Sequence, residues 1–236
     1  MAAPSLLEII ALDAADAEAA AAGGADRLEL VADIASDGLS PTEATVRAVL
    51  AATDLPVRVM LRDGAGFAPR DLDGLRGTAA TLRAAGATEF VLGFLTGTAE
   101  VDAAACHAVL AELAGCRWTF HRALDHSADP EAAWAAVAGL GCDTVLTAGS
   151  ARGVAHGLPV LGRLAARQAE DGLALLAGGG LALDHVAPLG RAGVRGFHVG
   201  GAVRPEGWAG PVAVEAVRIW ADAVRQAADA EAVSTG

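Results

Sequence analysis

Eight short runs of mostly aliphatic and β-branched residues alternate along this chain with eight Ala- and Leu-rich stretches of helical period. That rhythm restricts the fold more than any single motif does. The runs are LLEII (6–10), RLELV (27–31), VRVML (57–61), EFVLGF (89–94), RWTFHR (117–122), DTVLTA (143–148), LALLAG (173–178) and RGFHVG (195–200). Between them the spacing predicts helices near 13–22, 41–52, 71–85, 101–113, 130–139, 158–170, 183–191 and 211–228. Asp13, Ser40 before Pro41, Asp129 before Pro130, and Asp184 mark helix starts, and glycines in AAGGAD, RAAGAT, AGLGCD and RAGVRG mark helix ends. Eight βα units in 236 residues fit a closed (β/α)8 TIM barrel, an α/β fold, better than an open doubly wound sheet of about five or six strands. One domain over residues 1–236 is expected, with a disordered tail over 229–236. An apolar fraction of 53% supplies its core.

In such a barrel the C-terminal ends of the strands and the loops after them build the active site, and the opposite face supplies stability. Glu8, Glu29, Arg62, His121, Arg122, Thr147 and His198 fall in or just beyond the C-terminal halves of their strands. Cys116 and Cys142 stand at strand starts, away from the chemistry. Strand alternation puts Arg27, Glu29 and Val31 on one side, Arg58, Met60 and Arg62 on one side, and Thr119 with His121. If these sides face inward, ions occupy a lumen where branched apolar residues are usual, and they must be paired. Glu8 and Glu29 against Arg27 and Arg58 would form a structural ion-pair layer. Arg62, His121 and Arg122, nearer the mouth, suit an anionic or sugar-like ligand.

His121 is expected to point into the lumen toward Glu8 or Glu29. Arg122 would then point outward, unless the strand has already ended, with Asp125 as its partner. Gly178, Gly179 and Gly180 follow strand seven and Gly200 and Gly201 follow strand eight, where backbone N–H groups can bind phosphate or another anion. Glycine at tight turns also has a purely steric use.

Charge narrows the partners. With 29 Asp plus Glu against 17 Lys plus Arg, the net charge of −12 argues against nucleic acid or an anionic membrane surface. The N-terminus lacks a basic segment followed by an apolar run, and no 18-residue apolar stretch occurs, so a soluble cytosolic protein is expected. Cys106, Cys116 and Cys142 have neither zinc-site nor disulfide-framework spacing.

LEIIALD (7–13), GGADRLELVADIASDGLSP (23–41), the Arg62 loop with Gly66 and Phe67, TFHRALD (119–125), VLTAGS (145–150), AGGG (177–180) and FHVGGA (197–202) together resemble the CutC family, named for copper homeostasis. The resemblance runs in order from about residue 6 to 203. It implies a cytosolic (β/α)8 barrel, a homodimer or higher homo-oligomer, with a charged pocket at the strand C-termini. Copper(I) prefers thiolate or thioether ligands, and relatives carry cysteines just after the strand-one Glu and the strand-two Glu-Leu pair. Ile9, Ile10 and Val31 stand there in this chain, so no metal ligand is assigned and the cofactor is left open. After strand three, where relatives often show Arg-Pro-Arg, this chain reads Leu61, Arg62, Asp63, Gly64.

Three functions fit. One is copper handling, direct or indirect. Another is an enzyme with His121, Glu8 or Glu29 as acid or base and Arg27, Arg62, Arg122, Asp125, Thr147 and His198 binding a small anionic, phosphorylated or sugar-like substrate. The third is a non-catalytic binding barrel.

Overall fold

The computed structural model describes residues 5–234, with side chains described through residue 228. Strands β1 (Leu6–Ala11), β2 (Arg27–Leu30), β3 (Val57–Met60), β4 (Glu89–Leu92), β5 (Arg117–Phe120), β6 (Thr144–Thr147), β7 (Ala174–Ala177) and β8 (Gly196–Val199) close in sequence order into a barrel. Every neighbouring pair is parallel, including β8 with β1. The helices are α1 (Ala14–Gly23), α2 (Glu43–Ala52), α3 (Leu72–Ala84), α4 (Ala103–Leu110), α5 (Pro130–Ala138), α6 (Val154–Asp171), α7 (Leu183–Arg191) and α8 (Val214–Ser234). The tail expected over 229–236 lies outside the residues whose side chains are described. No helix among the described residues is long and apolar enough to cross a membrane.

Helix starts follow local hydrogen bonding. Asp13, Thr42, Asp71, Asp102 and Asp129 accept from N–H groups of the first turns of α1 to α5, satisfying donors that the helix leaves open. Thr42, not Ser40, caps α2, because Ser40 is tied instead to the backbone of Arg62. Helix α6 begins four residues before the start expected at 158 and carries Pro159 inside it. Its first turns pack against the end of β6 at Gly157, where a Cβ would stand 1.8 Å from the Ala148 carbonyl oxygen.

The main core lies between strands and helices. Inside the barrel a separate small cluster, Ile10, Val31, Met60 and Val91, fills the middle. Its position confirms that the Arg27–Glu29–Val31 and Arg58–Met60 sides face inward.

Below that cluster lies a polar layer at the N-terminal end. Arg58, fully buried, donates from Nε to Glu89 at 3.0 Å and from Nη2 to Asp143 at 2.7 Å, and it also bonds the Thr119 hydroxyl. The expectation that Arg58 would pair with Glu8 or Glu29 is therefore corrected. Arg58 is level with both Glu29 and Glu89, but its side chain turns to β4 and crosses the lumen toward β5 and β6. Arg27 does pair with Glu8, its register partner on β1.

Candidate functional site

A cavity of about 470 Å³ opens at the C-terminal mouth. Its polar walls are Glu29, Arg62, His121, Arg122 and His198, and Ile10, Met60 and Leu146 line its apolar side. Of the site residues expected from sequence, these five and Gly179, Gly180, Gly200 and Gly201 border it. Glu8, Arg27, Asp125, Thr147 and Gly178 do not.

Glu8 and Arg27 stand behind the wall and set its charge. The barrel register places Glu8 between Arg27 on β2 and His198 on β8. His198 Nδ1 lies 2.8 Å from Glu8, and Nε2 lies 3.7 Å from Glu29. Burial would raise the Glu8 carboxyl, but Arg27 and then His198 outweigh it and hold Glu8 at about 2. Burial opposes protonation of His198, yet Glu29 and Glu8 raise its pKa. Glu29 goes the other way: burial, with the Glu8 charge adding to it against the pull of His198, lifts its carboxyl to about 7. The two carboxylates are therefore driven apart, as a division of acid–base labour requires. Glu29 Oε1 is buried without a hydrogen-bond partner.

His121 faces the same cavity but not the carboxylates. β5 ends at Phe120, and His121 caps a 3-10 turn over Arg122–His126, accepting at Nδ1 from Ala123 N–H at 3.2 Å. The expectation of a bond to Glu8 or Glu29 is corrected, because the strand stops at Phe120, two residues early, and His198 holds those carboxylates. Burial, then the Arg62 and Arg122 charges, push the His121 imidazole down to about 3. It is neutral at physiological pH, and its accepting Nδ1 leaves the proton on Nε2. That Nε2 is buried and unpartnered. Phe67 meets the ring edge-on at a centroid distance of 5.9 Å, and Gly93 makes room for it, since a Cβ there would lie 2.7 Å from Nδ1.

Arg122 turns into the mouth, not outward, because the strand has ended. Its Nε donates to Asp125 at 2.8 Å, the expected pair. Asp125 also accepts from the Thr147 hydroxyl and from Ala148 N–H at 3.0 Å. Thr147 therefore positions Asp125 and has no face on the cavity. Because Asp125 keeps these donors, Arg122→Ala is expected to cost only about 1 kcal/mol, whereas Asp125→Ala strands three donors and should cost about 3 kcal/mol. Urea denaturation of both variants checks this; equal losses would contradict the assignment of Asp125 as the hub.

Arg62 is committed to the chain. It donates to the carbonyls of Ser36, Asp37 and Gly66 and stacks on Phe67 at 5.2 Å, fastening two loops across the mouth. Asp37, Phe67, His126 and Trp208 line the cavity without having been expected. His126 could have been found as the polar end of the TFHRALDH run, and Trp208 as a lone aromatic in a glycine-rich loop. Trp208 packs on Gly200, where a Cβ would lie 2.6 Å from it, and stacks with Arg204 at 5.3 Å. Arg204 is held in turn by buried Asp16 and by the carbonyls of Ile10 and Gly210.

The residue inventory excludes several chemistries. All 17 of the Lys-plus-Arg residues are arginine, so no lysine is present to form an imine, and tyrosine is absent. No cysteine lines the cavity, and burial pushes the Cys106 and Cys142 thiols up to about 12. Met60 is the single thioether among the described residues that line the cavity, so a thiolate copper(I) site does not fit these walls. Glu8, Glu29 and His198 offer one donor atom each within 4.8 Å of one another. Glu8 is already taken by Arg27, however, and by His198 Nδ1 at 2.8 Å.

Fold and site together define a (β/α)8 barrel with buried ionisable side chains, Glu29, His121 and His198, around a cavity at its C-terminal mouth. The CutC family model matches residues 5–203, and the chain belongs to the CutC family. It is 35% identical to the family protein CutC of Agrobacterium fabrum, covering 79% of this chain and 74% of that one. It is 31% identical to the human "Copper homeostasis protein cutC homolog", over 75% and 65% of the two chains. Among solved structures, the putative copper homeostasis protein CutC from Streptococcus agalactiae superposes with a TM-score of 0.76 at 23% identity, covering 83% of this chain and 98% of that one, a likeness of fold.

Proposed function

We propose that this chain is a cytoplasmic enzyme of acid–base chemistry, and that any part it has in copper homeostasis runs through that chemistry, not through copper ligation at the mouth. One observation carries the reading: Glu29 and His121 both line the same cavity, and each holds a buried polar atom, Oε1 and Nε2, without a partner. A stranded buried polar group costs about 1–3 kcal/mol. Two of them beside one cavity call for a ligand that supplies both partners.

The two groups divide one reaction. Ionised Glu29 takes a proton from a carbon next to a carbonyl, and the electron pair moves onto the carbonyl oxygen. The His121 Nε2–H then donates a hydrogen bond to that oxygen as its charge develops. Glu29, now a carboxylic acid, returns the proton to the same or a neighbouring atom. Neutral His121 suits the second task, since it need not change charge.

Exchange of solvent deuterium into a panel of small 2-oxo acids and phosphorylated hydroxyketones tests this. The protein should catalyse exchange with at least one member, and Glu29→Gln and His121→Ala should each lower the rate by about 10²- to 10⁴-fold. Exchange by the variants at the unsubstituted rate would sink the proposal, as would no exchange with any member.

A further inference from the structure

Beside the acid–base pair the same cavity has a second polar wall that the proton transfer does not use. Arg122 spends only Nε on Asp125, and its two terminal nitrogens have no partner among the described residues. The guanidinium lies against Gly179, where a Cβ would come within 2.5 Å of Cζ and push it aside. Gly179 and Gly180 both adopt left-handed backbone, at φ +98° and +71°.

Peptide geometry orients the neighbouring donors. The Gly179 carbonyl accepts from Val154 N–H at the start of α6. Because C=O and N–H point in opposite directions across a trans peptide, the Gly180 N–H points away from α6. On the facing loop the Gly200 carbonyl turns into its own 3-10 turn to accept from Val203 N–H. The Gly201 N–H therefore points out of that turn. Neither the Gly180 nor the Gly201 N–H donates to any group of the chain among the described residues. Both residues border the cavity, as Arg122 does.

We infer that Arg122 with the backbone N–H groups of Gly180 and Gly201 binds the phosphoryl end of a phosphorylated or phosphonylated substrate, whose carbonyl end reaches Glu29 and His121. A planar carboxylate would be satisfied by the two ends of one guanidinium. Donors drawn from three separate loops match a tetrahedral group with three outward oxygens. This names the substrate class of the acid–base site and rests on that reading for the word substrate, while the anion site itself stands on its own geometry.

Isothermal titration calorimetry of the full chain with inorganic phosphate, at constant ionic strength and pH 7, tests it. Phosphate should bind saturably with one site, and acetate should bind about ten-fold more weakly or worse. Arg122→Gln should weaken phosphate about ten-fold or more while unfolding cooperatively near the parent temperature, and Arg122→Lys should fall between. Glu29→Gln should keep phosphate binding within about three-fold, because it leaves the donors in place. Phosphate that fails to saturate, or that binds the folded Arg122→Gln variant as well as the parent, overturns the site. Acetate binding as tightly as phosphate overturns the phosphoryl assignment. Either failure would leave the deuterium-exchange result for Glu29 and His121 to be judged by itself.

Discussion

Glu29→Gln should stabilise the protein above neutral pH at the same time as it removes its acid–base chemistry. In the unfolded chain Glu29 loses its proton near 4.5, and in the fold, where burial and the Glu8 charge resist ionisation, it does so at about 7. A carboxyl whose pKa is raised on folding stabilises nothing lost below 4.5, but each step of pH from there to 7 favours the unfolded chain, and above 7 the penalty is complete. A gap of that size corresponds to about 3 kcal/mol. His198 offsets part of it, since the charge of Glu29 raises its pKa and is lost in the variant. The net gain for Glu29→Gln is expected at about 1–3 kcal/mol at pH 8.5 and near zero at pH 5. Urea midpoints at the two pH values measure it. A variant no more stable than the parent at pH 8.5 would show that Glu29 is not held in a costly buried position.

Arg58→Ala should be the most damaging single change in the barrel, at about 3–5 kcal/mol. Its guanidinium is fully buried at the opposite end of the lumen from the cavity and holds β3, β4, β5 and β6 together through Glu89, Thr119 and Asp143. Truncation leaves a cavity and strips both carboxylates of their main partner. Arg117 then remains 3.8 Å from Glu89 and 3.1 Å from Asp143, too exposed to replace it. The measurement is the urea midpoint with an unchanged slope. A loss under about 1 kcal/mol would mean that the layer is dispensable.

The barrel was legible because its signal is periodic and local. Eight alternating stretches, each closed by caps and glycines, need no knowledge of distant contacts. The inward faces were legible too, since period two carries Arg27 with Glu29 and Arg58 with Met60. What escaped depends on stagger around the barrel. Glu89 and Asp143 lie 31 and 85 residues from Arg58, and nothing in the local sequence says that its side chain turns to them and away from Glu29. The end of β5 escaped for a different reason. RWTFHR alternates like a strand to its last residue, but the His121 ring accepts from Ala123 N–H and converts the backbone into a turn. That single substitution of a cap for a ladder bond brings Arg122 into the mouth and lets His198 take the place expected of His121.

Trp208 gives the mouth a built-in optical reporter. With no tyrosine in the chain, near-ultraviolet emission comes from four tryptophans, and Trp118, Trp134 and Trp220 are at most 3% exposed whereas Trp208 is 37% exposed. A water-soluble quencher such as acrylamide therefore samples Trp208 almost alone. Its indole rests on Gly200, beside the N–H of Gly201, so any occupant of that corner should shield it from collisions. Occupancy of the cavity can then be followed by light in the unlabelled protein, before the identity of its natural occupant is known.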